Sequence, residues 1–170
     1  MNAALPETVD SWRMVSARRV FEGSVALASM SRLRDSLAAT GGSVSYEIEF
    51  GKDELGIANL WIRAQADLSL LCQRSLEPFD FPVRIDTRLG LIEEESEEAG
   101  LPPGYDPLLV EKNGQLRLAD VIEDELILAL PVVPLKPGVE PVERTWRGDE
   151  AEEPDASNPF SVLQKMKSKK

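Results

Sequence analysis

The sequence predicts a single α+β domain: a twisted antiparallel sheet covered by one helix from the C-terminal half, then an acidic segment and a short basic tail. Three observations lead there. Stretches between Val44 and Ile85 alternate apolar and polar residues, Val121 to Pro134 carries acids and then apolar residues at helical spacing, and the composition turns to Pro, Glu and Asp from Lys136 onward. Alternation with period two belongs to a sheet solvated on one face, and the helical stripe supplies a cover for the other.

In chain order, Val15 to Leu27 alternates in part, with Phe21, Gly23, Val25 and Leu27 on one parity, and reads as a strand or a bent pair. Ser29 is placed to cap a short helix in which Met30, Leu33 and Leu37 share a face, with Gly41-Gly42 as its exit. Three strands follow. Their inner rows are Val44, Tyr46, Ile48, Phe50; then Leu60, Ile62, Ala64, Ala66, Leu68, Leu70; then Phe79, Phe81, Val83, Ile85. Pro82 lacks a ladder donor, which predicts an edge or a bulge at that point of the third strand.

Glu93 to Glu98, with five acids in six residues, reads as a mobile acidic loop. Leu108 to Val110 is a short strand before a turn at Asn113-Gly114. The covering helix is expected to open near Asp120, capped by that side chain and by Glu123 in a capping box. Leu118, Val121, Ile122, Leu126, Ala129 and Leu130 form its apolar face, Glu123, Asp124 and Glu125 are exposed acids, and Pro131 ends it. The expected organisation is an α+β domain over residues 1–135, an acidic proline-rich linker, poorly ordered, over 136–157, and an NPF turn with a basic tail over 158–170. Trp146 docks either on its own domain or on a partner. The tail carries Phe160, Leu163 and Met166 on one side of a short helix, and four lysines with no acid among its last ten residues.

Composition narrows the function classes. At 170 residues with 42% hydrophobic content, the chain can build one real core. With no histidine, hydrolytic triads and most general-base schemes lose their usual base, so no enzyme is expected. A single cysteine cannot close a disulfide or hold a structural zinc without histidine partners, so neither metal nor cofactor is expected. Cys72 reads as an inert, half-buried thiol at a strand end, or as a reactive one whose pKa Arg74 lowers. No apolar run reaches the ~18 residues of a membrane span, and the N-terminus lacks a secretory pattern; the expectation is a cytoplasmic protein.

The formal charge of -11 disfavours a phosphate backbone over most of the surface and points to a basic protein partner, or simply to solubility. Against that field stand the lysine tail and the arginines Arg13, Arg18, Arg19, Arg32 and Arg34. These could contact RNA if the fold gathers them on one face. The outward residues of the sheet are mixed in sign, so a base-stacking sheet of the RNA-recognition type is not predicted.

Four segments, in this order, carry a resemblance: LCQRSLEPF from Leu71, LPPGYDPLLVEKNGQLRL from Leu101, DVIEDELILALPVVP from Asp120, and NPFSVLQKMKSK from Asn158. Together they resemble the bacterial YceD family of large ribosomal RNA accumulation proteins. The resemblance implies a non-enzymatic role, with no small-molecule substrate, in synthesis, processing or stability of 23S ribosomal RNA, and so in biogenesis of the large ribosomal subunit. Many members carry a C-x-x-C pair; here Ser75 stands where the second cysteine would be, and Lys136 to Val139 supplies no later one, so a family metal site is expected to be absent.

The leading expectation is an acidic protein that engages a basic ribosomal protein or pre-ribosomal particle, with the lysine tail near RNA. The candidate partner-contact residues are Glu123, Asp124, Glu125, Trp146, Asn158, Pro159 and Phe160. The candidate RNA-contact residues are Lys165, Lys167, Lys169 and Lys170. The alternatives are direct 23S rRNA binding through the N-terminal arginines and the tail, or a protein-binding module with an indirect effect on ribosomes. Oligomeric state is left open.

Overall fold

The computed structural model describes residues 5–139. Trp146, Asn158, Pro159, Phe160 and the lysines Lys165, Lys167, Lys169 and Lys170 lie outside the described residues, as do most of the expected linker and the whole of the expected tail.

The three alternating stretches form β3 (Ser43–Lys52), β4 (Ala58–Leu71) and β5 (Pro78–Ile92). With β2 (Val20–Ala26) and β6 (Asp106–Leu109) they make a five-stranded sheet in the order β2-β3-β4-β5-β6. The predicted inner rows of β3 and β4 are buried throughout, as are Val83 and Ile85 of β5, while Phe79 and Phe81 are half-buried near its start. Pro82 sits opposite Asp67, and β6 pairs only with Leu89–Ile92, so the flank of β5 at Pro82 has no strand neighbour among the described residues. The edge expected from that proline is there.

The sheet is mixed, which corrects the antiparallel expectation: β6 runs parallel to β5. A parallel return needs a crossover of about a dozen residues, and the connection over 93–105 provides it. Its first half was expected to be a mobile loop. Instead Glu95–Gly100 is a 3-10 helix in which Glu94 and Glu97 form a reciprocal capping box, so the acids order their own backbone. Leu101 then lies over Gly90, close enough that a Cβ at Gly90 would come within 2.5 Å of Leu101 Cδ2.

Among the described residues two helices, not one, pack on the inner face. α1 (Ser11–Ser16) packs over β3 and β4 through Val15, and α3 (Leu118–Leu128) packs on β5. The segment before Val20 is therefore helical where a strand was expected from Val15. Six residues are too few to display a helical period, but Asp10 caps them, its carboxylate accepting the Arg13 amide at 3.0 Å. A small antiparallel pair, β1 (Val9–Asp10) with β7 (Gln115–Leu116), ties this start to the turn at Gly114, whose carbonyl accepts both the amide and the hydroxyl of Ser11.

Both expected helix caps are replaced. Ser29 donates its hydroxyl to the Ala26 carbonyl, and α2 (Ser31–Arg34) starts after it with no cap from its own residues. α2 ends at Arg34, so Gly41-Gly42 leads into β3 and does not terminate a helix. α3 opens at Leu118, two residues earlier than expected, and Asp120 pairs with Arg117 at 3.5 Å instead of capping. The hydrophobic requirement explains the earlier start: Leu118, Ile122 and Leu126 are all 0% exposed and lie one helical turn apart on the core side.

Candidate functional site

With α1 and α3 on one face, the other face of the sheet is left open, and its residues are set by strand parity. Reading across the register, Val20, Glu49, Trp61 and Arg88 form one row. Glu22, Glu47, Arg63 and Asp86 form the next, followed by Ser24, Ser45, Gln65 and Arg84. A shallow groove of about 590 Å³ runs along these rows, with Glu22, Glu47, Arg63, Gln65, Arg84 and Asp86 in its walls.

The centre of the face is a stacked cluster. The guanidiniums of Arg63 and Arg88 lie over the Trp61 ring at 4.4 Å and 4.6 Å, and its Nε1 donates to Asp86 Oδ1 at 2.6 Å. Arg63 is also bound by Glu47 at 3.0 Å and by Glu49. The cluster engages two of the three outward guanidiniums, Arg63 through carboxylates and Arg88 through the ring. The outward residues of β2 to β5 include six carboxylates, on Glu22, Glu47, Glu49, Asp67, Asp80 and Asp86, against three guanidiniums, on Arg63, Arg84 and Arg88. Glu22 stands directly opposite Glu47, a like-charge pair with no cation shared between the two residues among the described contacts. This is an acidic, structured surface with one aromatic at its centre.

The acids singled out on α3 have different fates. Glu123 is buried, which corrects its expected exposure. Its carboxylate accepts the amides of Arg32 at 2.7 Å and Leu33 at 2.9 Å, and pairs with the Arg32 guanidinium at 3.2 Å. Burial would raise its carboxyl pKa, but the amides of Leu33 and Arg32 and the guanidinium outweigh it and hold the group below the usual range. Asp124 is exposed and binds Arg32 at 2.5 Å. Glu125 is half-buried; burial pushes its carboxyl up, a Thr87 hydrogen bond opposes, and Asp106 and Asp124 add to the rise.

The five N-terminal arginines are divided. Arg13 is on α1 and Arg18 and Arg19 follow it into β2, whereas Arg32 and Arg34 come after the far end of that strand, about 20 Å along it. Arg32 is committed to Glu123, Asp124 and the Asp120 carbonyl, and Arg34 lies 4.0 Å from Asp35. Cys72 is fully buried, not half-buried. The Lys136 amide donates to its sulfur at 3.4 Å and the Ser75 amide at 3.5 Å; with the Ser75 hydroxyl, these bonds lower the thiol pKa to about 6 against the opposing effect of burial. Lys136 thus remains attached to the domain, its ammonium 3.1 Å from Glu77.

Trp61, Arg84 and Arg88 were not singled out from the sequence, although parity alone placed Arg63 on the outward side of β4. Register was the missing information: only the pairing of Trp61 with Arg88 and of Glu47 with Arg63 brings the cluster together. Among the described residues, no group of three or more His, Cys, Asp or Glu side chains could hold a metal ion, and no helix is long and apolar enough to cross a membrane.

A family model described as large ribosomal RNA subunit accumulation protein YceD matches residues 60–167, from the start of β4 through α3 and beyond. A protein of Haemophilus influenzae bearing the same description is 28% identical over 169 residues, which covers 97% of each chain. No solved structure matches.

Proposed function

The chain belongs to the YceD family of large ribosomal RNA subunit accumulation proteins, and from that premise we propose that it is a non-enzymatic factor supporting 23S rRNA accumulation by holding a basic ribosomal protein during large-subunit biogenesis. The observation that carries this reading is the surplus of carboxylates on the open sheet face, six against three guanidiniums, most of the latter already engaged. A cationic segment laid along the groove relieves the Glu22–Glu47 repulsion and finds Asp67 and Asp80 further along the strands. Such contacts favour fast, salt-sensitive association over very tight binding.

The same physics supplies a release step. The phosphate backbone of rRNA carries a denser negative charge than this face, so a basic protein held here transfers to RNA when RNA is offered. The exposed acids of the 3-10 helix and Asp124 extend the field. In this reading residues 136–157 link the domain to an NPF turn and a lysine tail that approaches RNA.

Purification of the full chain from cells tests the proposal. Large-subunit proteins should co-purify after RNase treatment and be lost as salt rises, and a chain with Glu22, Asp67 and Asp80 each changed to Lys should retain less of them. Absence of any large-subunit component, or equal retention by the charge-reversed chain, sinks it.

A further inference from the structure

We infer that the turn closing α1 is a direct RNA-phosphate contact, made by Arg13, Arg18 and Arg19 beside the start of β2; the inference takes rRNA as the partner from the function proposed above. α1 ends in a Schellman motif: the Arg18 amide donates to the Val15 carbonyl at 3.1 Å and the Arg19 amide to the Met14 carbonyl at 3.1 Å. The residue after the C-cap must then be left-handed, and Arg18 is, at φ 47. Glycine occupies that position without the clash between Cβ and carbonyl that an L side chain suffers. An arginine here strains the backbone and gains no internal contact, because among the described residues its exposed guanidinium has neither an ion pair nor a hydrogen bond. Strain retained without a structural return points to a use outside the fold.

The surroundings fit an anion. Arg13, one turn back, also has no partner for its guanidinium among the described residues, and Arg19 sits over the half-buried Phe21 ring at 5.9 Å. Arg13, Arg19 and Phe21 line one groove of about 500 Å³. Asp10 lines it too, but its carboxylate is occupied by the Arg13 amide at the N-terminus of α1. Arg32 and Arg63, by contrast, are each bound by two carboxylates. Seven residues of helix and turn thus carry three cations uncommitted to acids, in a chain of net charge -11. Guanidinium forks match phosphate oxygens in pairs, and an adjacent aromatic ring offers a face to an unstacked base, so single-stranded RNA fits better than an acidic polypeptide.

The test is filter binding of the full chain to transcribed 23S rRNA over a salt series, with thermal unfolding measured in parallel. R18G should keep or raise the unfolding midpoint, yet weaken binding roughly 5- to 10-fold and flatten the salt slope by about one. R34A, whose arginine faces Asp35, should bind as the parent does. The inference is overturned if the parent shows no salt-dependent RNA binding, if R18G binds like the parent, if R34A loses as much as R18G, or if polyglutamate competes as well as RNA. Capture of basic large-subunit proteins does not pass through this turn, so its persistence in R18G separates failure here from failure of the proposed function.

Discussion

Glu123, on the helix that covers the sheet, caps the neighbouring helix through the amide of Leu33 at 2.9 Å, and the Arg32 amide joins it at 2.7 Å. The acid-rich start of α3 is therefore partly an internal joint. It satisfies two of the orphan amides of α2, a four-residue helix too short to persist alone, and fixes Leu33 in the core.

Replacing Glu123 with Ala removes that cap, leaves two amides without their acceptor and takes one of two carboxylates from the Arg32 guanidinium. A lost cap costs ~0.5–2 kcal/mol and a charged hydrogen bond ~1.5–3 kcal/mol, while the Arg32 pairing counts for little because that side chain is half exposed; the expected loss is about 2–4 kcal/mol. Urea unfolding measures it as a lower midpoint at unchanged slope. Asp124→Ala, by contrast, should cost less than about 1 kcal/mol, since it removes only an exposed pair.

Glu123 and Glu125 make opposite demands on pH. The Glu123 pKa is lowered in the fold, so its contribution is complete above the unfolded value of ~4.3 and is lost as pH falls through the folded one. The Glu125 pKa is raised, so its contribution is present below ~4.3 and is lost as pH rises through the folded value. Glu123→Gln should flatten the acid-side loss of stability, and Glu125→Gln should remove the decline on the rising side. Urea midpoints collected from about pH 3 to 7 for the three chains decide both signs.

The inner rows of β3 and β4 could be read residue by residue because a half-buried strand writes its faces into alternate positions. The same reading found the edge at Pro82 and the turn at Gly114. Three features that the sequence did not show have a common physical origin. The cap of α2 comes from Glu123, 90 residues away, the direction of β6 is set by a crossover, and the Trp61 cluster is assembled by register across three strands. Each depends on non-local pairing, which local propensity and period do not encode. Arg18 differs in kind: its left-handed backbone conflicts with residue preference, and a sequence reading that follows preference passes over it.

Gly90 and Leu101 should behave as a pair. A Cβ at Gly90 would lie 2.5 Å from one methyl of Leu101 and 2.9 Å from the other, so Gly90→Ala must push Leu101 and the crossover aside. Overpacking of this kind costs ~1–3 kcal/mol, towards the lower end here because the methyls are the free end of a side chain. Leu101→Ala in the same chain should recover most of the loss. A double-mutant cycle from urea midpoints measures the coupling, and simple additivity would show that the two side chains do not collide.

Leu126 tests the placement of α3 directly. It is 0% exposed and faces the core beneath the helix. Truncation to Ala should cost ~2–5 kcal/mol, the range for a buried leucine whose cavity relaxes only in part. A loss below about 1 kcal/mol in urea unfolding would mean that the helix does not close the sheet there.

Stability and binding should separate at Glu22. The residue stands opposite Glu47 on the exposed face, and like charges directly across a strand pair destabilise by roughly 0.2–1 kcal/mol. Glu22→Lys converts that repulsion into a favourable cross-strand pair, so the urea midpoint should rise. The same change removes an acid from the groove and introduces a cation, which should slow association with a basic large-subunit protein and reduce the dependence of that rate on salt. A stopped-flow series against ionic strength reads both effects. A more stable chain that associates more slowly identifies the Glu22–Glu47 pair as a repulsion the fold tolerates for its partner. A more stable chain with unchanged association would leave the pair without a role in binding and move the contact off this face.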